Sequence, residues 1–274
     1  PEGTRSPDGK LYKGRTGIAR MALESGAPVI PVAMLNTAEI QPTGQVVPKV
    51  RQVEMRFGEP MTFTGDSSDV AVLRQITDEI MKKIQELSGQ EYVDIIKQRY
   101  PQQFERCYEW CSGPGYIGFS LLDYGVCRSL CVSDIYDSAI NKAVAETIKQ
   151  NKLTNVGAYA TGHVASIPAH EKFDLVVATP PHFLECPGDD NYQRIAVDAD
   201  WAAHQEFFAN IGQHLLPGGV ILLQENQAGS LLREAEFEQY VNAAGLQITD
   251  VFNSPAYYTP NHYTQIYYIE IRQK

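Results

Sequence analysis

The sequence predicts an α/β protein: a doubly wound, mostly parallel sheet fills most of the chain, and a smaller α/β segment precedes it. Three observations carry this expectation. From Arg106 onward, strand-like and helix-like stretches alternate at lengths that suit right-handed crossovers between parallel strands. A glycine-rich turn follows the first of these strands, and an acidic residue ends the second. The last two strands have no helix between them and should form an antiparallel hairpin, giving six parallel strands and one antiparallel strand.

The elements follow in order. After a polar, Gly-rich start, Ile18, Met21, Ala22 and Ser25 recur at helical spacing, and the run PVIPVAML ending at Leu35 reads as a strand. A β-rich stretch around residues 45–63 contains VEMRF. Val70, Leu73, Ile76, Ile80, Ile84 and Leu87 then form one apolar stripe of an amphipathic helix, with Ser88-Gly89 as its stop. In the second part, strands are expected at Cys107–Cys111, Leu130–Asp134, Val156–Thr161, Asp174–Thr179, Gly219–Gln224, Leu246–Phe252 and Thr264–Ile271. Helices are expected at Tyr116–Tyr124, Ser138–Asn151, Trp201–Leu215 and Leu231–Ala244.

Composition narrows the partners. Residues 95–274 hold 12 Lys and Arg against 20 Asp and Glu, whereas residues 1–94 hold 11 against 13. An acidic surface repels phosphate backbones, which disfavours a nucleic-acid partner. No apolar run approaches the roughly 18–20 residues that span a bilayer, so no transmembrane segment is expected. Five cysteines, an odd number, suit a reducing cytoplasm better than a disulfide scaffold. Cys107, Cys111, Cys127 and Cys131 fall on or beside the first two strands and read as core cysteines, so no metal site is expected. Oligomeric state is left open.

The chemistry-bearing stretch begins at Glu109-Trp110-Cys111-Ser112-Gly113-Pro114-Gly115, where a strand turns into a helix. Glycine there lets backbone approach a ligand closely, and a helix N-terminus favours anionic groups. Asp134 ends the next strand about 20 residues later, where a carboxylate can accept from both hydroxyls of a ribose. The two together predict a nucleoside site.

EWCSGPGYIG, VSDIYDSAI, FDLVVATPPHF and LLPGGVILLQEN together resemble the class I S-adenosylmethionine-dependent methyltransferases, especially the small-domain branch that includes release-factor glutamine methyltransferases. The resemblance covers residues 93–274 and implies a Rossmann-like sheet with S-adenosyl-L-methionine as cofactor. It implies that Glu109, Cys111, Gly113 and Gly115 border the methionine part, that Asp134 holds the ribose, and that Ile135 packs on adenine. Cys111 stands where the family has a glycine, and His163 where it has an acidic residue near the adenine amino group. Thr179-Pro180-Pro181-His182 stands where relatives that methylate planar nitrogens carry Asn-Pro-Pro-Tyr or Asp-Pro-Pro-Tyr. Thr179 offers one hydroxyl, and His182 adds a base with an ordinary pKa near 6.5. Both changes tilt the expected target atom towards an oxygen, or a small-molecule nitrogen that must lose a proton; the acceptor itself is expected to be a small molecule or a protein. Phe183, Tyr257, Tyr258 and His262 are candidate acceptor contacts at the ligand edge.

Residues 1–92 carry a second resemblance. Glu2-Gly3-Thr4-Arg5, with KGRTGIARMALESG and Val29-Ile30-Pro31-Val32-Ala33, resembles the later part of a 1-acylglycerol-3-phosphate acyltransferase. It implies that Glu2, Gly3, Thr4 and Arg5 grip a glycerol phosphate, as a guanidinium suits. That family's catalytic His and Asp would precede Pro1, and residues 1–162 contain no histidine to serve as a general base. The expectation is an inactive acyltransferase segment, residues 1–92, joined to a methyltransferase domain, residues 93–274. An acyltransferase fragment completed from elsewhere, and a cofactor-binding module without activity, are the competing readings.

Overall fold

The computed structural model describes residues 3, 11, 13–35, 37, 53–185, 196–254 and 266–274. The chain divides into two compact units, Pro1–Ile95 and Ile96–Lys274. The sequence boundary at 92/93 falls inside a continuous helix, Gln90–Arg99.

In the first unit, helix α1 (Gly17–Ser25) precedes strands β1 (Val32–Leu35) and β2 (Glu54–Phe57), which pair antiparallel, and helix α2 (Val70–Ser88). Asp69 caps α2 by accepting from the backbone N–H of Ala71, and Gly89 ends it at φ 64°. Ala19 of α1 packs with Leu73, Ile76 and Ile80 of α2. The expected stripe is therefore buried along most of α2, while Val70 in its first turn is 73% exposed. On α1 the buried residues are Ala19 and Ala22 rather than Met21. Small side chains let the two helices approach closely, which the periodicity of larger residues did not reveal.

Helix α3 (Gln90–Arg99) leads into a seven-stranded sheet. Its strands are β3 (Phe104–Trp110), β4 (Cys127–Asp134), β5 (Val156–Ala160), β6 (Phe173–Ala178), β7 (Leu215–Asn226), β8 (Leu246–Asn253) and β9 (Ile266–Gln273). The order is β5-β4-β3-β6-β7-β9-β8. β3 to β7 are mutually parallel, and β9 runs antiparallel to both β7 and β8. The six-plus-one sheet expected from the sequence is present, with β9 inserted between the fifth and sixth parallel strands. Such an insertion cannot be read from the local pattern of a hairpin, which says that two strands pair but not what lies on their other side.

The crossover helices are α4 (Tyr116–Asp123), α5 (Ala145–Asn151), α6 (Ala202–Ile211) and α7 (Glu238–Ala243). A wider π-helical stretch, Ala139–Val144, opens the helix expected at Ser138–Asn151. The helix expected from Leu231 is shorter: Arg233–Glu236 forms a 3₁₀ turn, and only Glu238–Ala243 is α-helical. Leu231 and Leu232, which suggested the longer helix, are both largely exposed. The core joins the central strands to α6 and α7 through Trp110, Phe173, Phe207, Phe208, Phe237 and Tyr267.

Candidate active site

The sheet order brings the sequence motifs to one edge. β3 lies between β4 and β6, so Trp110 is in register with Ser133 on one side and Ala178 on the other. The chain leaves β3 and β6 in opposite lateral directions, which opens a crevice beyond their carboxyl ends. The Cys111–Gly115 turn, Asp134 and the Thr179–Phe183 loop all emerge there.

The turn depends on unusual backbone. Gly113 and Gly115 have φ +51° and +83°, and Cys111 itself sits at +53°. The glycine usual at the position of Cys111 therefore matters for backbone conformation as well as size. A side chain in this left-handed region carries a cost of about 1–2 kcal/mol. At Gly115 a Cβ would also meet the Phe119 ring at 2.8 Å.

Two buried carboxylates brace the turn. Glu109 accepts from the backbone N–H of Gly118 at 2.7 Å and of Ile117 at 3.3 Å, capping the first turn of α4. Asp134 accepts from Gly113 N–H at 2.7 Å and from Tyr136 N–H at 2.8 Å. Burial pushes the Asp134 carboxyl up, and these two backbone bonds offset only part of that rise. Each of its oxygens keeps a second lone pair for an incoming hydroxyl. Beside it, Ile135 is 70% exposed, an apolar side chain set against Gly162, whose Cβ would lie 3.2 Å from it. His163, next in that turn, is exposed. The corner thus offers a carboxylate acceptor at the strand end, an uncovered apolar side chain next to it and the backbone donors of a helix N-terminus beyond the glycine turn.

On the other side of β3, Thr179 donates to the Gln224 side chain over a long 3.4 Å. Pro180 is buried and Pro181 half-buried. His182 Nδ1 lies 3.3 Å from Glu225 Oε2, and the Phe183 ring is edge-on to the His182 ring at 6.5 Å. Phe183 also pairs with the returning chain, donating to the Ala196 carbonyl and accepting from Asp198 N–H at 2.7 Å. Tyr257, Tyr258 and His262, with Glu2, Thr4 and Arg5 of the first unit, lie outside the described residues. Gly3 is described and has φ +79°.

Three residues absent from the sequence expectations complete this corner. His204 of α6 is fully buried between two carboxylates, with Nδ1 2.6 Å from Asp198 Oδ2 and Nε2 3.0 Å from Glu225 Oε1. Burial opposes a charge on the ring, but Glu225 and Asp198 outweigh it and raise the His204 pKa to about 9. Glu225 in turn is held below the usual carboxylate range by His204 and His182, against the effect of burial. Phe237 stacks on the His204 ring at 4.7 Å, with Trp110 and Trp201 edge-on at 5.6 and 5.3 Å, so aromatic side chains enclose the imidazole. The signal for Glu225 was a lone carboxylate in the apolar run of β7; nothing in the sequence singled out His204 or Asp198.

Solved structures place this architecture. A methyltransferase of Clostridium acetobutylicum that depends on S-adenosylmethionine is 12% identical and superposes over 73% of this chain and 96% of its own, with a TM-score of 0.52. A glycopeptide N-methyltransferase solved with S-adenosyl-L-methionine is 12% identical and superposes over 68% of this chain and 94% of its own, with a TM-score of 0.50. The fold is that of the S-adenosylmethionine-dependent methyltransferases. At the other end, an acyltransferase family model matches residues 1–35. A chloroplastic 1-acyl-sn-glycerol-3-phosphate acyltransferase of Brassica napus is 46% identical over 44 residues, which is 16% of this chain and 13% of that protein. Among the described residues no helix is long and apolar enough to cross a membrane.

Proposed function

We propose that residues 96–274 bind S-adenosyl-L-methionine and catalyse methyl transfer to a small-molecule or protein acceptor. The observation that carries this reading is the Asp134–Gly113 hydrogen bond, which ties the carboxylate suited to a ribose to the turn suited to the amino-acid end. Asp134 would hold the ribose hydroxyls, Ile135 and the Gly162-His163 turn the adenine, and the Cys111–Gly115 turn with Glu109 behind it the methionine part. When bound, the cofactor supplies an electrophilic methyl group on a sulfonium, whose bond to sulfur breaks as the bond to the acceptor forms. The chain's own contribution is then placement of the acceptor in line and removal of its proton. Thr179, Pro180, Pro181 and Phe183 would position the acceptor, and His182 would accept the proton. The acyltransferase-like segment is proposed to have no acyl-transfer activity within these 274 residues, since no histidine precedes His163.

Calorimetry tests the binding. Wild-type protein should bind the cofactor, and Asp134→Ala should weaken binding by roughly 10- to 100-fold, equivalent to about 1.5–3 kcal/mol for hydrogen bonds to a charged group. No detectable heat from the wild type at high micromolar cofactor would end this reading. The role of His182 is tested by His182→Phe across pH 5.5–8.5 with a working acceptor. A base predicts a fall of roughly 100-fold with loss of the acidic limb of the pH profile. Near-normal rates in the phenylalanine variant would leave only a stacking role.

A further inference from the structure

We infer that Glu225, His204 and Asp198 form a buried relay that fixes the His182 ring with Nδ1–H pointing at Glu225, so that Nε2 carries the lone pair that meets the acceptor. The base function of that lone pair rests on the methyl-transfer reading above; the fixed tautomer does not.

Four groups connect in sequence. Asp198 Oδ2 meets His204 Nδ1, His204 Nε2 meets Glu225 Oε1, and Glu225 Oε2 meets His182 Nδ1. His204 and Glu225 side chains are wholly buried, and that of Asp198 nearly so, while the His182 side chain keeps 17% of its exposure. With both carboxyls ionised, each can only accept, so both ring nitrogens of His204 donate and the ring is the imidazolium. For the same reason Glu225, kept ionised by that cation, can pair with His182 only through a donating Nδ1–H. In neutral His182 the remaining nitrogen is then necessarily the acceptor.

The scaffold holds this order. Asp198 also accepts from the backbone N–H of Ala203 and His204, fixing it to the start of α6, and its own backbone N–H binds the Phe183 carbonyl. The loop carrying His182 is thus tied at one side through Glu225 on β7 and at the other through Asp198. The other titratable groups whose charge Glu225 influences, the Tyr267 hydroxyl and the Cys111 thiol, are both pushed up by burial and stay neutral, so they do not compete for its charge. In catalysis the acceptor's hydroxyl or protonated-nitrogen proton would pass to His182 Nε2 as the acceptor binds carbon. The resulting imidazolium, paired with Glu225, would release that proton to water after the products leave. Glu225 and Asp198 are positioning residues here, since neither needs to touch the acceptor.

The experiment is nitrogen NMR of protein labelled with ¹⁵N-histidine at pH 8, with the His182 signal identified by its absence from His182→Phe. The wild type should show His182 as the Nδ1–H tautomer and one other histidine protonated on both nitrogens. In Glu225→Leu the Nδ1–H to Nε2–H ratio of His182 should fall roughly tenfold or more, as expected from loss of a hydrogen bond to a charged group. Asp198→Asn, the gentler variant, should lower the pH at which the doubly protonated histidine titrates and leave the His182 tautomer in place. A wild-type His182 already in the Nε2–H form would overturn the proposal without need of any variant. So would a tautomer unchanged in Glu225→Leu. Cofactor calorimetry on the same samples separates the two readings: the expected spectra with no cofactor binding would remove the base function and keep the relay.

Discussion

Replacing His204 by leucine is expected to destabilise the C-terminal unit by roughly 3–5 kcal/mol, the cost of breaking a buried ion pair and leaving its partner charged. Two carboxylates would lose their shared cation: Asp198 at 2.6 Å and Glu225 at 3.0 Å from the ring. For a unit of this size each kcal/mol corresponds to about 2–4 °C, so the melting temperature should fall by roughly 10 °C. Volume does not explain the loss, because leucine is close in size to histidine. The double variant His204→Leu, Glu225→Leu should therefore recover most of it, since Asp198 keeps its two backbone N–H donors.

The pH dependence of this loss has a definite sign. The folded-state pKa of His204 is raised from 6.5 to about 9. Its contribution is thus fully present below pH 6.5 and lost as the pH climbs through about 9. Glu225 is held below its ordinary 4.5. Its contribution is present above that value and lost as the pH falls through the folded-state one. Wild type and His204→Leu should differ most between these limits, and the gap should shrink by about 3 kcal/mol by pH 10, at ~1.4 kcal/mol per pH unit. Urea titrations at pH 6 and pH 10 measure it directly; an unchanged gap would show that His204 is not charged in the native protein.

Gly229→Ala is the second large effect. A Cβ on Gly229 would lie 1.7 Å from the His182 carbonyl oxygen, 2.7 Å from its carbonyl carbon and 3.0 Å from the Phe183 ring. Two of those three atoms are backbone and cannot rotate aside, so the loop after β6 or the turn after β7 must move. Overpacking of this kind costs typically ~1–3 kcal/mol, and the overlap puts this site at the upper end. The melting temperature should drop by roughly 6–12 °C. The displaced loop carries His182, and misplacement of about 1 Å can cost 100-fold in rate. Gly113→Ala provides the contrast: a Cβ there meets nothing within 4 Å, and only the left-handed backbone at φ +51° opposes it. Its cost should stay at about 1–2 kcal/mol. Equal melting temperatures for the two variants would show that the Gly229 contact relaxes without strain.

The parts of the fold with local signals could be read from residue order. Alternation of apolar runs and amphipathic stretches predicted six crossover-connected parallel strands and one antiparallel closing strand, because burial on both faces of a parallel strand demands near-continuous apolar residues. The glycine turn and Asp134 were legible because a left-handed backbone and a carboxylate at a strand end leave residue-type marks at predictable spacing. His182 stood out as a candidate only by its place after two prolines at a strand end. Tertiary structure alone decided three things. It inserted β9 between β7 and β8, a choice made by which strand edges were open for pairing. It cut back the helix expected from Leu231, whose apolar residues there face outward. It also assembled Asp198, His204, Glu225 and His182, which come from the return of a loop, a helix, a strand and a strand-end loop. No spacing rule links those four positions, because a buried charge chooses its partner by distance in space, and that distance exists only once the sheet order has brought β6, β7 and α6 together.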